Sequence, residues 1–334
     1  MSKVYAMVQE RIIKELEKCL VTGEKLPWEK PWTSRNTPKN FMSKKKYRGV
    51  NLLLLPQGGY YVTFNQFKEL KQKYDFLELR KGTKAHMVVF WQFKQRTSSD
   101  AELSEEEKAL LGSGTKSRRM TPIFRYYNVF HESQIEGFGK IIPEEELPNY
   151  KHESLPELAE TFTNLYSAKV CPIKEKDIDL AAYSVNKDYI VVPPKENFKN
   201  LGEYYSTKFH EMGHSTGHIS RLQRFDSADT FGDEKYSKEE LIAEICSSML
   251  MSEFGIESPK TIKNSNAYIL GWLSKIRNDA QLITFAAQQA QKACDFMFEK
   301  TEIYTNEDYI NSFNNNVVID RDELINQLLE QIIA

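Results

Sequence analysis

His210-Glu211-Met212-Gly213-His214 is the segment whose residue types and spacing could do chemistry most directly. Three of the six histidines lie between residues 210 and 218. On a helix, residues four apart share a face, so both imidazoles can reach one cation. Glu211 sits about 100° further round, where it can exchange a proton with water without being a ligand. This is the pattern of metal-assisted hydrolysis, in which a cation lowers the pKa of water toward ~7 and a carboxylate takes its proton. Phe209 and Met212 flank the histidines and argue for a buried helix over a solvated face.

Such a site needs a third ligand. The longer pattern HExxHxxGxxH holds through Gly217 and then puts Ser220 where a histidine would stand; His218 comes two residues early. A carboxylate from a later helix is the better expectation, a gluzincin-like choice, with Glu239, Glu240 and Glu244 as candidates. Ser237 and Glu240 have capping-box spacing, which accounts for Glu240 without a metal. Glu244 lies one turn deeper, between Ala243 and Ile245, where a carboxylate needs a cationic partner. Glu244 is therefore preferred and Glu240 held in reserve. His218 reads as a helix-end histidine bonded to backbone, with a substrate contact as the sharper alternative. Tyr183 is either core packing or a hydrogen-bond donor to a developing oxyanion.

The charge balance points to a second task. The chain has 334 residues and a formal net charge of −2. Residues 1–135 hold 25 Lys and Arg against 14 Asp and Glu, a net of +11; the remainder is at −13. The basic part carries three of the four tryptophans, Trp28, Trp32 and Trp91, interleaved with cations. Cations following phosphates and aromatics stacking on bases are how single strands are bound. The candidates are Trp28, Lys30, Trp32, Lys44, Lys45, Lys46, Tyr47, Arg48, Arg80, Lys81 and Lys84. Phe90 and Phe93 lie in an apolar strand pattern and read as core.

The elements that must position these groups follow from periodicity. Val4, Val8, Ile12, Leu16 and Leu20 predict a helix over 3–22, ended by Gly23. Strands are expected near 60–62, 86–93 and 121–130, with a polar loop over 96–120. Thr63 and Gln66 form a capping box. Further helices are expected at 157–168, 199–217, 237–254, 265–277, 280–299 and 321–333, with a strand at Tyr189–Val192. The expected organisation is α+β: a basic domain over 1–136, a linker over 137–156, a mainly helical domain with a small sheet over 157–300, and a helical tail over 301–334. No apolar run has the ~20 residues of a membrane helix, and no signal peptide is evident. The four cysteines are far apart and read as free core thiols of a cytoplasmic protein.

Several ordered motifs together resemble the ArdC-type antirestriction family of plasmids and other mobile elements. In the basic part they are Pro27-Trp28-Glu29-Lys30-Pro31-Trp32, Tyr47-Arg48-Gly49-Val50-Asn51, Arg80-Lys81-Gly82-Thr83-Lys84 and Arg125-Tyr126-Tyr127-Asn128-Val129-Phe130. In the acidic part they are Ala182-Tyr183-Ser184, Glu203-Tyr204-Tyr205-Ser206-Thr207, His210 through His218, and Glu239 through Glu244. The resemblance implies an N-terminal domain that binds single-stranded DNA, a zincin-like metallopeptidase domain, and protection of incoming DNA from restriction. Carried onto this chain, it puts one divalent metal, zinc by preference, on His210, His214 and a helix-borne glutamate, best Glu244, with Glu211 as the catalytic base. A host restriction or regulatory protein is the implied protein partner and no membrane is implied. Two alternatives stand beside this reading: a non-catalytic DNA-binding protein whose metal only cross-links helices, and a DNA-guided protease that cuts a host regulator.

Overall fold

The computed structural model describes residues 3–24, 26–29, 37–95, 120–143, 155–225, 234–257 and 266–303. Lys30, Trp32, most of the loop expected at 96–120, much of the expected linker, and the tail from 304 with its helix at 321–333 lie outside the described residues.

Helix α1 (Lys3–Thr22) follows the expected repeat, burying Val4, Val8, Ile12, Leu16 and Cys19. Gly23 stops it at φ 65°, a left-handed turn open to glycine, with its N–H on the Cys19 carbonyl at 2.9 Å. The basic part then runs β1 (Lys39–Asn40), α2 (Val50–Leu54), β2 (Tyr60–Thr63), α3 (Phe64–Lys73), β3 (Glu78–Leu79), β4 (His86–Gln95), β5 (Met120–His131) and β6 (Ile135–Glu136). Four strands form one sheet in the order β1-β2-β5-β4. β1 is parallel to β2, and the other pairs are antiparallel. The Thr63 capping box is present: Gln66 N–H donates to Thr63 Oγ1 at 3.2 Å, and Gln66 Oε1 accepts from Thr63 N–H at 2.9 Å.

The acidic part runs α4 (Leu155–Lys169), β7 (Ile173–Glu175), β8 (Ala182–Ser184), β9 (Tyr189–Val192), α5 (Leu201–Ser215), α6 (Glu234–Glu253), α7 (Asn266–Asn278) and α8 (Leu282–Thr301). Its sheet has the order β7-β9-β8, which leaves β8 on an edge. The short elements α2, β1, β3, β6, β7 and β8 have too few residues to show a period. One further difference matters for chemistry. Helix α6 starts at Glu234, so Ser237 is already inside it and cannot act as its N-cap. Glu240 is thereby released from the capping duty expected of it.

One apolar cluster runs across the position of the expected division near residue 136. The stripe of α1 packs with Ile269, Trp272, Leu273 and Ile276 of α7 and with α8. Gln9 Nε2 donates to the last carbonyls of α7, those of Ile276 at 2.7 Å and Arg277 at 3.1 Å. Trp28 meets Trp272 edge to face, with ring centroids 6.5 Å apart. Two smaller clusters lie beside it, one around Phe67 that takes in Phe138 from the first residues of the expected linker, the other around Tyr47 and Tyr61. All four cysteines are buried and unpaired by disulfides.

Candidate metal centre

Helix α5 begins at Asn200, whose side chain accepts from Glu203 N–H at 2.9 Å. Its far end is pressed against α6. A Cβ added at Gly213 would lie 3.2 Å from Ala243 Cα and 3.5 Å from Cys246 Cβ, so the missing side chain sets how closely the helices approach. Ser247 adds a hydrogen bond to the Ser206 carbonyl at 2.8 Å. This close approach brings the α6 carboxylates onto the histidines.

His210 and His214 turn their Nε2 atoms toward each other, 3.0 Å apart. Glu240 straddles them, with one oxygen 3.5 Å from His210 Nε2 and the other 3.3 Å from His214 Nε2. A tetrahedral centre with bonds of ~2.0–2.1 Å has ligand–ligand edges of about 3.4 Å, so the donor spacing suits a small divalent cation. The remaining ring nitrogens face other acids. His214 Nδ1 is 3.5 Å from Glu239, and His210 Nδ1 is 3.8 Å from Glu244 and buried without a hydrogen bond. Burial disfavours a charged His214, yet the hydrogen bonds and charges of Glu239 and Glu240 override it and lift its pKa to about 10. Burial likewise opposes ionisation of Glu240, but the two imidazoles hold its carboxyl well below the usual range.

Glu239 is fixed from behind. Arg224 donates to both of its oxygens, at 2.9 and 2.7 Å, and also to the Gly213 carbonyl and Thr216 Oγ1. Arg221 clamps Asp188 through two bonds of 2.8 Å and reaches the Ser215 and Val170 carbonyls. Burial works against the Asp188 charge, but Arg221 and Tyr183 hold its carboxyl below the ordinary range. Neither arginine was among the expected site residues. Only their position just after the histidine motif marks them, and that carries no period.

Glu211 accepts a 2.7 Å hydrogen bond from the backbone N–H of Tyr183 on edge strand β8. The Tyr183 hydroxyl, for which core packing and an oxyanion contact were both open, donates to Asp188 at 2.8 Å. His218 Nδ1 is 2.7 Å from Ser220 Oγ and accepts from the Ser220 backbone N–H at 3.2 Å. Of the expected glutamates, Glu240 meets both Nε2 atoms, whereas Glu244 approaches only the outer nitrogen of His210.

The expected DNA-contact residues are dispersed. Trp28 and Tyr47 are each 5% exposed and belong to the apolar core, so neither ring is open to a base. Arg48 pairs with Asp295 of α8, and Gly49 N–H donates to Gln291 of the same helix at 3.1 Å. Lys44 holds its ammonium over the Phe41 and Tyr60 rings. Lys45, Lys46, Arg80, Lys81 and Lys84 are exposed. Among the described residues, no helix is long and apolar enough to cross a membrane.

The chain has relatives along most of its length. Residues 158–289 match the zincin-like metallopeptidase family, and residues 2–130 match the N-terminal domain of the anti-restriction factor ArdC. The protein y4eC of Sinorhizobium fredii (strain NBRC 101917 / NGR234) is 30% identical over 306 residues, covering 88% of this chain and 91% of y4eC. A DNA primase TraC of Escherichia coli is 30% identical over 315 residues, covering 90% of this chain, which spans only 27% of that primase. The metal-free crystal structure of the antirestriction protein ArdC from plasmid R388 superposes with a TM-score of 0.65 at 32% identity, covering 90% of this chain and 98% of that one. The Mn(II)-bound structure of that protein gives 0.64 at 30% identity, with 92% and 100% covered. With the ArdC-type N-terminal domain and the zincin-like fold joined in one chain, and with relatives aligned almost end to end, the protein belongs to the ArdC antirestriction family.

Proposed function

We propose that this chain is an antirestriction protein that binds single-stranded DNA through its basic half and holds one divalent cation in a peptidase-type hydrolytic site. The observation that carries the site is the convergence of His210 Nε2, His214 Nε2 and the Glu240 carboxylate. Two imidazoles and one carboxylate are a borderline donor set that suits Zn²⁺ and also accepts Mn²⁺. Bound by these three residues, the cation supplies Lewis acidity, polarising a carbonyl oxygen and acidifying water. Glu239 and Glu244 face the outer nitrogens of His214 and His210, at 3.5 and 3.8 Å, and serve as positioning residues, the kind of support that fixes ring orientation.

Glu211 takes the proton of the attacking water and delivers it to the leaving amine nitrogen. The Tyr183 N–H keeps the Glu211 carboxylate directed beside the histidines. Strand β8 lies on a sheet edge, where an extended peptide can align by strand addition through groups other than the Tyr183 N–H that Glu211 takes.

The test compares wild type with Glu211→Gln, using host restriction subunits and repressors as candidate targets. Glu211→Gln retains the metal and loses cleavage. Equal cleavage by both proteins would sink the assigned mechanism. In a plasmid-transfer assay under restriction, Glu211→Ala is expected to lose protection; full protection would favour a site whose metal only cross-links α5 and α6.

A further inference from the structure

Strands β4 and β5 together contain seven aromatic residues and no aspartate or glutamate, in a chain that is 28% charged. They pair over ten residues, from His86↔Val129 to Gln95↔Met120. Strand β2 accompanies β5 only at Val129, Phe130 and His131. Beyond that point the sheet narrows to a two-stranded ribbon.

Side chains opposite one another in register share a face. On one face, Val89 and Phe124 enter the core, and the Phe124 ring lies 4.8 Å from Tyr5 of α1. On the other face, Val88 and Val129 are covered by Tyr47 and Tyr61. That second face then opens. Phe90 is 43% exposed, Arg125 directly opposite it is exposed, and the half-buried Tyr127 ring is 6.0 Å from Phe90. Gln92 donates to the Tyr127 hydroxyl and holds that ring in place. The Tyr47 ring closes this opening on one side, 6.1 Å from Phe90.

We propose that this open face of the ribbon is where single-stranded DNA lies, with a base stacked on Phe90 beside Tyr127 and a flanking phosphate on Arg125. The assignment rests on the reading that the basic half binds single strands. The occupant follows from the chemistry of the face: an acid-free surface with an open ring and an adjacent cation suits unstacked bases and their phosphates. A duplex keeps its bases stacked and offers no free ring. A protein strand adding to the edge of β4 is opposed by Asn51, whose side chain takes up both the Val89 N–H at 2.7 Å and the Val89 carbonyl at 2.9 Å.

The experiment uses the full chain and a thymidine 20-mer, with affinity measured across a salt series. Phe90→Ala lowers affinity about 5- to 150-fold, the range of one lost stack. Arg125→Gln, at an exposed position, lowers affinity and reduces the log–log salt slope by about 0.7, the value of one phosphate contact. Phe64→Ala removes a rival exposed ring, on α3 with Lys68 above it, and leaves binding as in wild type. Independently of any variant, an iodouracil-substituted 20-mer crosslinks on irradiation to Phe90 or Tyr127 of the unaltered protein and not to Trp91 or Tyr126, which are exposed on the opposite face. If wild type binds but Phe90→Ala and Arg125→Gln match it, or the crosslinks fall elsewhere, the face is wrong while single-strand binding stands. If wild type does not bind the 20-mer even at low salt, the underlying reading fails and the face fails with it.

Discussion

Helix α5 carries a buried polar cluster toward each end, and the two are finished differently. Toward the start, Lys208 donates to the Tyr204 hydroxyl at 2.7 Å, Tyr204 donates to Glu175 at 2.9 Å, and Tyr205 donates to Glu160 at 2.7 Å. Glu160 also lies 3.8 Å from the Lys208 ammonium. Each donor meets an acceptor, and the cluster is closed. Two residues on from Lys208, the arrangement reverses: two imidazole nitrogens and a carboxylate converge on one small volume. Without a proton or a cation between them, these atoms repel. Buried charge is common to both places, so burial alone does not mark a binding site; a surplus of acceptors does.

The sharpest way to break this comparison is to remove a converging donor. His214→Ala is expected to lower Mn²⁺ affinity by more than about 100-fold in a calorimetric titration, because even outer partners of metal ligands are worth 10–100-fold. Glu240→Gln is expected to approach that loss, while Glu244→Gln costs about 10-fold. The reverse order would make Glu244 the ligand and Glu240 its support. At the closed cluster, Lys208→Met removes one partner and keeps the apolar bulk. It is expected to cost about 1–3 kcal/mol in urea denaturation and to leave Mn²⁺ affinity unchanged. A joint loss of stability and metal binding would mean that the clusters are not separate.

The smallest expected effect is in the alkaline limb of stability. Burial, followed by the neighbouring glutamates, raises the pKa values of Tyr204 and Tyr205 above the ordinary 10.0. Above pH ~10 the unfolded chain releases these protons and the folded chain keeps them, so stability falls as pH rises. Tyr204→Phe is expected to make that fall shallower between pH 9 and 11, and an unchanged slope would remove Tyr204 from the account.

Legibility in sequence follows the same contrast. The relation of His210, Glu211 and His214 is set by the helical repeat within five residues, so no tertiary information was needed to read it. The choice between Glu240 and Glu244 depended on where α6 begins. With Ser237 inside α6, Glu240 is free of capping, and the close packing of α6 on α5 brings it, not Glu244, to both imidazoles. Long helices were equally readable, because α1 and α8 display several periods. The aromatic residues of the basic half were not. Composition marked Trp28 and Tyr47 as open rings and Phe90 as core, whereas the sheet is covered on its second face only as far as Tyr47 reaches. A strand's alternation tells which residues share a face, not how far along that face its cover extends.

The docking of α1 on α7 bears on how the protein is made. The two helices are joined across more than 240 positions of sequence, as in the bond from Gln9 to Ile276. At ribosomal speeds of about 5–20 residues per second, on the order of 10–50 s separate the emergence of α1 from that of the surface that covers its apolar stripe. During that interval the earliest helix has no final partner, and the basic half cannot complete its packing without the last helices of the acidic half. The basic and acidic parts thus reach maturity together, and a nascent chain interrupted before α7 would expose Val8, Ile12 and Leu16 to chaperones and proteases.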